Sequence, residues 1–310
     1  MKNRFLISIS ISVYFLALYS LCCLSACEQG NHTEKSRDST VVISPLVIGL
    51  KTVLPALLKE SSGLCYTDGN LWSFGDGGNA NEIYKIDTTT GAILQVIQIE
   101  NFKNVDWEDI TADSSFIYIG DFGNNNGNRK DLKIIRIKKS DLNVGKSFLS
   151  IQGEAIEFSY ADQVNFYNDP GTDYDCESLI AVGPDLYVFT KDGIDFKTRC
   201  YKIPKQPGNY KVFPFSSFNS EGKLTAAAFN PLTREIALLG YQNKKKESFI
   251  WFLDDYPDNR FFAGRKVKII IGSADDWQTE GLDYISVNRL FLSCESSKSR
   301  VASLFYIQKK

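Results

Sequence analysis

The sequence predicts an all-β chain closed into a ring of four-stranded sheets, a β-propeller, and three observations carry that expectation. Short apolar strands alternate with turns of Gly, Asn and Asp, and aromatic residues abound, with 21 Phe, 15 Tyr and 4 Trp against one Met. That mix favours strands over helices. One four-stranded pattern recurs along the chain, the mark of a repeat architecture. The last repeat is one strand short, while Val41–Ile48 near the other end supplies an orphan strand. Pairing the two would close the ring and leave no open sheet edge.

Before the repeats, the N-terminus reads as an address. Lys2 and Arg4 precede an apolar run from Phe5 to about Leu24, long enough to span a bilayer as an uncleaved helix. The run ends in Leu24-Ser25-Ala26-Cys27, which resembles the lipobox of bacterial lipoproteins. That resemblance implies removal of residues 1–26 as a signal peptide, acylation of Cys27 and a permanent membrane anchor. Glu28 follows the cysteine, where a retained inner-membrane lipoprotein would carry Asp, so the outer membrane is the expected address. Residues 27–40 are polar and without apolar period, a flexible tether. Residues 41–310 then form a single propeller domain.

Five units follow. The first has strands Gly63–Tyr66, Leu71–Phe74, Glu82–Ile86 and Ile93–Ile99; the second Asp109–Ala112, Phe116–Gly120, Leu132–Ile137 and Ala155–Tyr160. The third has Ser178–Val182, Leu186–Thr190, Arg199–Ile203 and Tyr210–Phe215; the fourth Thr225–Asn230, Glu235–Leu239, Ser248–Leu253 and Val267–Ile271. The fifth stops after Gly281–Ile285, Arg289–Ser293 and Val301–Ile307. Ala161–Tyr174 reads as an inserted loop, which makes five blades the count and six the alternative. Val53–Lys59, interrupted by Pro55, is the only helical candidate.

Composition excludes several chemistries. His32, the only histidine, falls in the tether, so a Ser-His-Asp or Cys-His nucleophile system and a His-rich zinc or iron site are not expected in the folded body. There are 35 basic and 37 acidic residues; losing Lys2 and Arg4 with the signal leaves a net charge of −4 (33 against 37), which argues against a nucleic-acid surface. Four cysteines remain in the domain (Cys65, Cys176, Cys200 and Cys294), and their spacing indicates no pairing.

Propeller geometry puts the turn entering each innermost strand and the turn leaving the second strand on one face. The entering residues are Glu60, Asp106 with Glu108, Asp175 with Glu177, Thr225, and Glu280; the leaving residues are Asp76, Asp121, Lys191, Tyr241 and Glu295. So many carboxylates repel one another unless something offsets them. Lys191, Arg129, protonation or a bound cation would do so, and an all-oxygen ligand set points to Ca²⁺ or Mg²⁺. Candidate metal ligands are therefore Glu60, Asp106, Glu108, Asp175, Glu177 and Glu280. In the alternative, these acids accept backbone hydrogen bonds from the neighbouring blade and only lock the ring. The loop Gly123–Arg129 offers amides and a guanidinium for phosphate, carboxylate or sugar hydroxyls. Candidate ligand-binding residues are thus Asp76, Asp121, Asn125, Arg129, Lys191 and Tyr241. Trp107 and Trp277, beside the acidic turns, are candidate stacking platforms.

The chain also resembles a family of secreted or lipid-anchored propellers akin to esterase-like phytases and SdiA-regulated proteins. The likeness runs from Glu60 to Glu295 and rests on Glu60-Ser61-Ser62-Gly63-Leu64, Asp106-Trp107-Glu108-Asp109-Ile110, Gly120-Asp121-Phe122-Gly123-Asn124-Asn125, Asp175-Cys176-Glu177-Ser178-Leu179 and Gln278-Thr279-Glu280-Gly281-Leu282. Two motifs depart from it: Gly75-Asp76-Gly77-Gly78 replaces the usual Asn-Asp-Ser-Gly, and Thr225-Ala226-Ala227-Ala228 lacks the usual acid. The resemblance implies a fold more firmly than a reaction. Three functions compete: binding of a small ligand or glycan at the acidic mouth, with Ca²⁺ as the candidate cofactor; metal-assisted phosphoester or ester hydrolysis, with Glu108 or Glu177 as general base; and a protein-interaction adaptor in an envelope complex.

Overall fold

The computed structural model describes residues 46–310 except 143, 144, 169, 170, 192, 193, 243 and 276. The expected signal peptide, Cys27, the expected tether and residues 41–45 lie outside the described residues.

Strand β1 (Leu46–Val53) comes first and a short 3-10 turn, Ala56–Leu58, follows it. β2 (Ser61–Thr67), β3 (Asn70–Gly75), β4 (Glu82–Ile86) and β5 (Ile93–Ile99) pair in that order as blade one. β6 (Trp107–Ala112), β7 (Phe116–Asp121) and β8 (Lys133–Lys138) start blade two. β9 (Phe148–Ile151) then lies parallel to β5 on the rim of blade one, and β10 (Glu154–Tyr160) completes blade two. β11 (Cys176–Val182), β12 (Asp185–Thr190) and β13 (Lys197–Pro204) begin blade three. β14 (Gly208–Val212) pairs parallel with β10, and β15 (Pro214–Asn219) completes blade three. Blade four is β16 (Lys223–Phe229), β17 (Ile236–Gln242), β18 (Glu247–Asp254) and β19 (Arg265–Ser273). Blade five is β20 (Thr279–Ser286), β21 (Arg289–Cys294) and β22 (Ser303–Lys309), with β1 as its outer strand, antiparallel to β22 from Leu46↔Lys309 to Val53↔Ser303.

The five-bladed propeller closed by an N-terminal strand is therefore the observed fold. Three local expectations are corrected. Among the described residues the closing strand is Leu46–Val53, which runs past the expected end at Ile48, while the first part of the expected Val41–Ile48 lies outside them. The segment expected as a helix, Val53–Lys59, holds the end of β1 and one 3-10 turn. The expected strand Tyr210–Phe215 is two strands, broken ahead of Pro214, and its first half serves blade two.

Both faces of each blade are covered by neighbours, so the core is distributed. Five apolar clusters occupy the five blade interfaces. The one between blades one and two includes Trp72, Phe74, Trp107 and Ile119; the one between blades three and four includes Tyr187, Phe189, Phe249 and Trp251. Burying each such side chain stabilises the ring by roughly 1.5–3 kcal/mol. The β2–β3 hairpin turns on Asp68 and Gly69, both at positive φ (51° and 75°), the backbone a tight Asp-Gly hairpin requires. The innermost strands β2, β6, β11, β16 and β20 are sheet edges that touch one another in a closed cycle. Their inward N–H groups have no ladder partner, and the channel must supply acceptors.

Candidate functional site: an acidic channel mouth

Each innermost strand carries a register shift at the same place: between Ser61 and Leu64 in β2, Trp107 and Asp109 in β6, Cys176 and Ser178 in β11, Leu224 and Ala226 in β16, and Thr279 and Gly281 in β20. The skipped residues are Ser62 with Gly63, Glu108, Glu177, Thr225 and Glu280. A bulge of this kind releases one residue from the ladder and re-aims its side chain. Four of these residues (Ser62, Glu108, Glu177 and Glu280) line one cavity of about 150 Å³. Asp76, Asp106, Asn125, Lys191 and Glu295 complete its wall. Thr225 is turned instead to blade five, where its hydroxyl donates to the Thr279 carbonyl at 2.8 Å.

Two groups of three carboxylates stand here, Asp76–Asp106–Glu108 and Glu108–Asp175–Glu177, each offering oxygens within 4.8 Å of one another. Glu108 belongs to both. Lys191 is ion-paired with Glu177 Oε1, while Glu177 Oε2 is buried with no hydrogen-bond partner. Asp175 Oδ1 accepts from the Asn124 N–H at 2.8 Å and from the Cys176 N–H at 3.1 Å.

The crowding is written in the proton affinities. Burial, then repulsion from Asp76, pushes Asp106 up to about 6. Burial, then Glu280, lifts Glu295 to about 8, and burial lifts Glu280 to about 7 against the pull of Lys191. Glu108 is raised well above the carboxylate range by burial and by Glu177. For Lys191, burial pulls the value down, but Glu177 and Glu280 outweigh it and the ammonium is held.

Not every expected residue joins the cavity. Glu60 is half-exposed and stands at the rim, accepting from Asn79 at 3.2 Å. Tyr241 lines an adjoining cavity of about 200 Å³ with Trp277, Asp275 and Glu280. Asp121 and Arg129 do not line the cavity, although Asp121 Oδ1 accepts from the Asp106 N–H at 3.2 Å. Asp121 pairs across the ladder with Trp107, whereas the mouth residues Asp76, Lys191 and Glu295 each lie one position beyond the paired residue. Asp121 is thus one residue out of register and faces the other way. It is buried against Arg129 (2.9 Å) and Lys133 (3.4 Å). The Arg129 fork is committed to Asp121, Asp131 and the Gly123 carbonyl. At the mouth, blade two presents Gly123, whose N–H donates to the Asp106 carbonyl at 3.2 Å; a Cβ there would collide with Glu108 Oε1 and Asp106 Oδ2. Trp107 is fully buried against Phe74, so it is core and offers no platform; Trp277 stacks on Phe305. The domain cysteines are free and buried.

Sequence reasoning missed the acids that do lock the ring. Asp109, fully buried, accepts from the N–H groups of Ile110 (2.8 Å), Leu179 (2.7 Å) and Ala227 (3.4 Å), which belong to blades two, three and four. Asp283 accepts from Tyr66 of blade one at 2.6 Å and from Tyr284. Ser62, which lines the mouth, also went unseen as a site residue. A signal for Asp109 exists: the equivalent positions hold the small residues Gly63, Ser178, Ala226 and Gly281.

No family model matches the chain and no curated protein matches it, so the expected likeness to esterase-like phytases and SdiA-regulated propellers is not shown by these comparisons. Among solved structures, the chain is similar to the PQQ-bound aldose sugar dehydrogenase from Streptomyces coelicolor, at 10% identity and a TM-score of 0.52 over 86% of this chain and 99% of that one. A glucose dehydrogenase aligns at 10% identity and a TM-score of 0.48, over 85% of this chain and all of that one. Similarity at this level is a similarity of fold.

Proposed function

We propose that the mouth binds a divalent cation, Ca²⁺ or Mg²⁺, and through it a small oxygen-rich ligand such as a glycan, on a propeller tethered to the outer membrane by a lipid on Cys27. One observation carries the reading: Glu108 is shared by two carboxylate groups whose oxygens lie within 4.8 Å, and Glu177 Oε2 beside them is buried without a partner. Calcium takes oxygens at roughly 2.3–2.6 Å, so two ligands on opposite sides of one ion lie about 5 Å apart. Asp76, Asp106, Glu108 and Glu177 would hold it. Lys191 neutralises one carboxylate and leaves the remainder in excess, which a cation would offset.

The quinone cofactor named for the Streptomyces coelicolor dehydrogenase carries three carboxylates. A cavity of about 150 Å³ ringed by six acids and one lysine does not fit such a ligand, and no redox step is assigned to this chain.

The test is thermal unfolding of the full chain in detergent, titrated with Ca²⁺ and then with EGTA. The expected result is a rise in Tm that EGTA reverses and that Glu108→Gln with Glu177→Gln abolishes. A Tm indifferent to both reagents overturns the cation site. Turnover of p-nitrophenyl phosphate or acetate, lost in the same variant, would make the mouth a hydrolase with Glu108 or Glu177 as base. Radiolabelled palmitate incorporated by wild type and not by Cys27→Ser tests the anchor, and membrane fractionation tests the address.

A further inference from the structure

The acidic mouth is the smaller of two openings. At the opposite end of the channel, where the first and second strands of each blade turn, lies a cavity of about 650 Å³ built from all five blades. Its size falls in the range of small-ligand sites, roughly 300–1,000 Å³. Its chemistry is unlike that of the mouth. Blades one to three contribute charged groups already paired: Lys139 with Asp68 at 3.0 Å and with the Thr67 hydroxyl, and Lys205 with Asp113 at 2.9 Å. Blades four, five and one contribute apolar surface, with Phe229, Pro231 and Leu232 on one side and Tyr66 and Ile285 beside them, and blade five adds one acid, Asp283.

Two features tell what such a wall takes. First, the two ammonium–carboxylate pairs cancel, and the remaining acid of the wall, Asp283, has its oxygens taken up by the N–H groups of Tyr66 and Tyr284 and is lifted by burial to about 7, so it adds at most one negative charge. An anion would face Asp68 and Asp113, and a cation would face Lys139 and Lys205. Neutral hydroxyls can use both, because each ammonium has three donors and at least one is left after the contacts above, and Asp68 is largely exposed with acceptor capacity to spare. Second, Leu232 stands at the lip with 79% of its surface exposed, on a turn that Asn230 fixes by accepting from the Leu232 N–H at 3.1 Å. A rigid, exposed aliphatic lip opposite fixed polar groups matches a ring that is apolar on one face and carries hydroxyls at its edge.

We propose that this second cavity binds a short neutral oligosaccharide, its sugar rings laid against Phe229, Pro231 and Leu232 and its hydroxyls held by Lys139, Asp68 and Lys205. The site is independent of the acidic mouth and of any cation there.

The experiment is calorimetric titration of the full chain in detergent and EGTA, so that no cation-borne glycan binding at the mouth contributes, with three neutral probes (maltotriose, cellotriose and chitotriose) and with citrate and spermidine as charged controls. At least one trisaccharide binds. Affinity falls tenfold or more in Leu232→Asp and in Asp68→Asn, two exposed positions that leave the fold and the Ca²⁺ response in place. Glu108→Gln with Glu177→Gln leaves saccharide affinity unchanged. The proposal is overturned if none of the three probes binds at millimolar concentration, if only citrate or spermidine binds, or if saccharide affinity follows the mouth variants instead of Leu232 and Asp68.

Discussion

Replacing Asp109 with alanine is the sharpest perturbation of the ring. Strand β11 turns the Leu179 N–H, and strand β16 the Ala227 N–H, toward the channel, where neither has a ladder partner. One carboxylate on β6 answers both, and the Ile110 N–H as well. Alanine orphans all three. A buried unsatisfied donor costs about 1–3 kcal/mol. Two of the bonds are short and one is long, and removing a buried acid also relieves its own desolvation. The expected net loss is on the order of 3 kcal/mol, which at a urea slope of ~3 kcal/mol/M moves the midpoint by about 1 M. Asp109→Asn keeps an acceptor oxygen but turns an amide toward the other donors, and should lose about a third as much. Tryptophan fluorescence reports the transition, since Trp107 lies two residues away in the core. Burial raises the Asp109 proton affinity well above the ordinary carboxylate. The wild-type advantage is therefore greatest below the unfolded-state value and shrinks as pH rises, because ionising the folded acid costs more than ionising the unfolded one. Asp109→Asn, without that ionisation, should close the gap from pH 4 to pH 8. A midpoint within 0.2 M of wild type, flat in pH, would refute the reasoning and mean that water satisfies the channel donors.

Three further outcomes follow from the mouth. In EGTA, Tm should fall as pH rises from 5 to 8, because Asp106, Glu280 and Glu295 are lifted to about 6, 7 and 8 and the folded state binds protons the unfolded state has released; saturating Ca²⁺ should flatten that slope, and a Tm that climbs with pH would contradict it. Lys191→Met strands Glu177 without its partner and should cost about 2 kcal/mol in urea unfolding, while tightening Ca²⁺ severalfold by calorimetry, since lysine and cation compete for one carboxylate. Arg129→Ala should destabilise by about 1–2 kcal/mol through loss of its fork to Asp121 and the Gly123 carbonyl; because the guanidinium also pulls the Asp106 proton affinity down, Ca²⁺ should bind more tightly in the variant, and an unchanged or weaker affinity by calorimetry would mean that the Arg129 field stops short of the mouth.

What the chain makes legible is its period. Strand spacing and turn chemistry recur often enough to count blades, and a missing last strand points to its replacement at the other end. The direction of single side chains is a finer matter, because in a strand it reverses with each residue. Asp121 shows the limit. It ends an apolar strand as Asp76 precedes its turn, and the two look equivalent, yet the ladder pairs Asp121 with Trp107 and pairs Gly75, the neighbour of Asp76, with Ser61. One step in register turns a would-be ligand into the buried partner of Arg129. The bulges act in the opposite sense: a residue skipped from the ladder at the same place in every innermost strand brings Glu108, Glu177 and Glu280 to one cavity, although simple alternation does not predict where they point. The small residues Gly63, Ser178, Ala226 and Gly281 mark where the strands crowd; a Cβ added at Gly63 or Gly281 would meet the backbone N of Ile110 or Leu64 at 3.0 Å. Only blade two carries a long side chain at that position, and it is the one that reaches across to blade four. The channel therefore holds two kinds of acid that look alike in sequence. Asp109 and Asp283 spend their oxygens on backbone N–H groups, while Glu108 and Glu177 sit on the bulges at the mouth, Glu177 with one buried oxygen unpartnered.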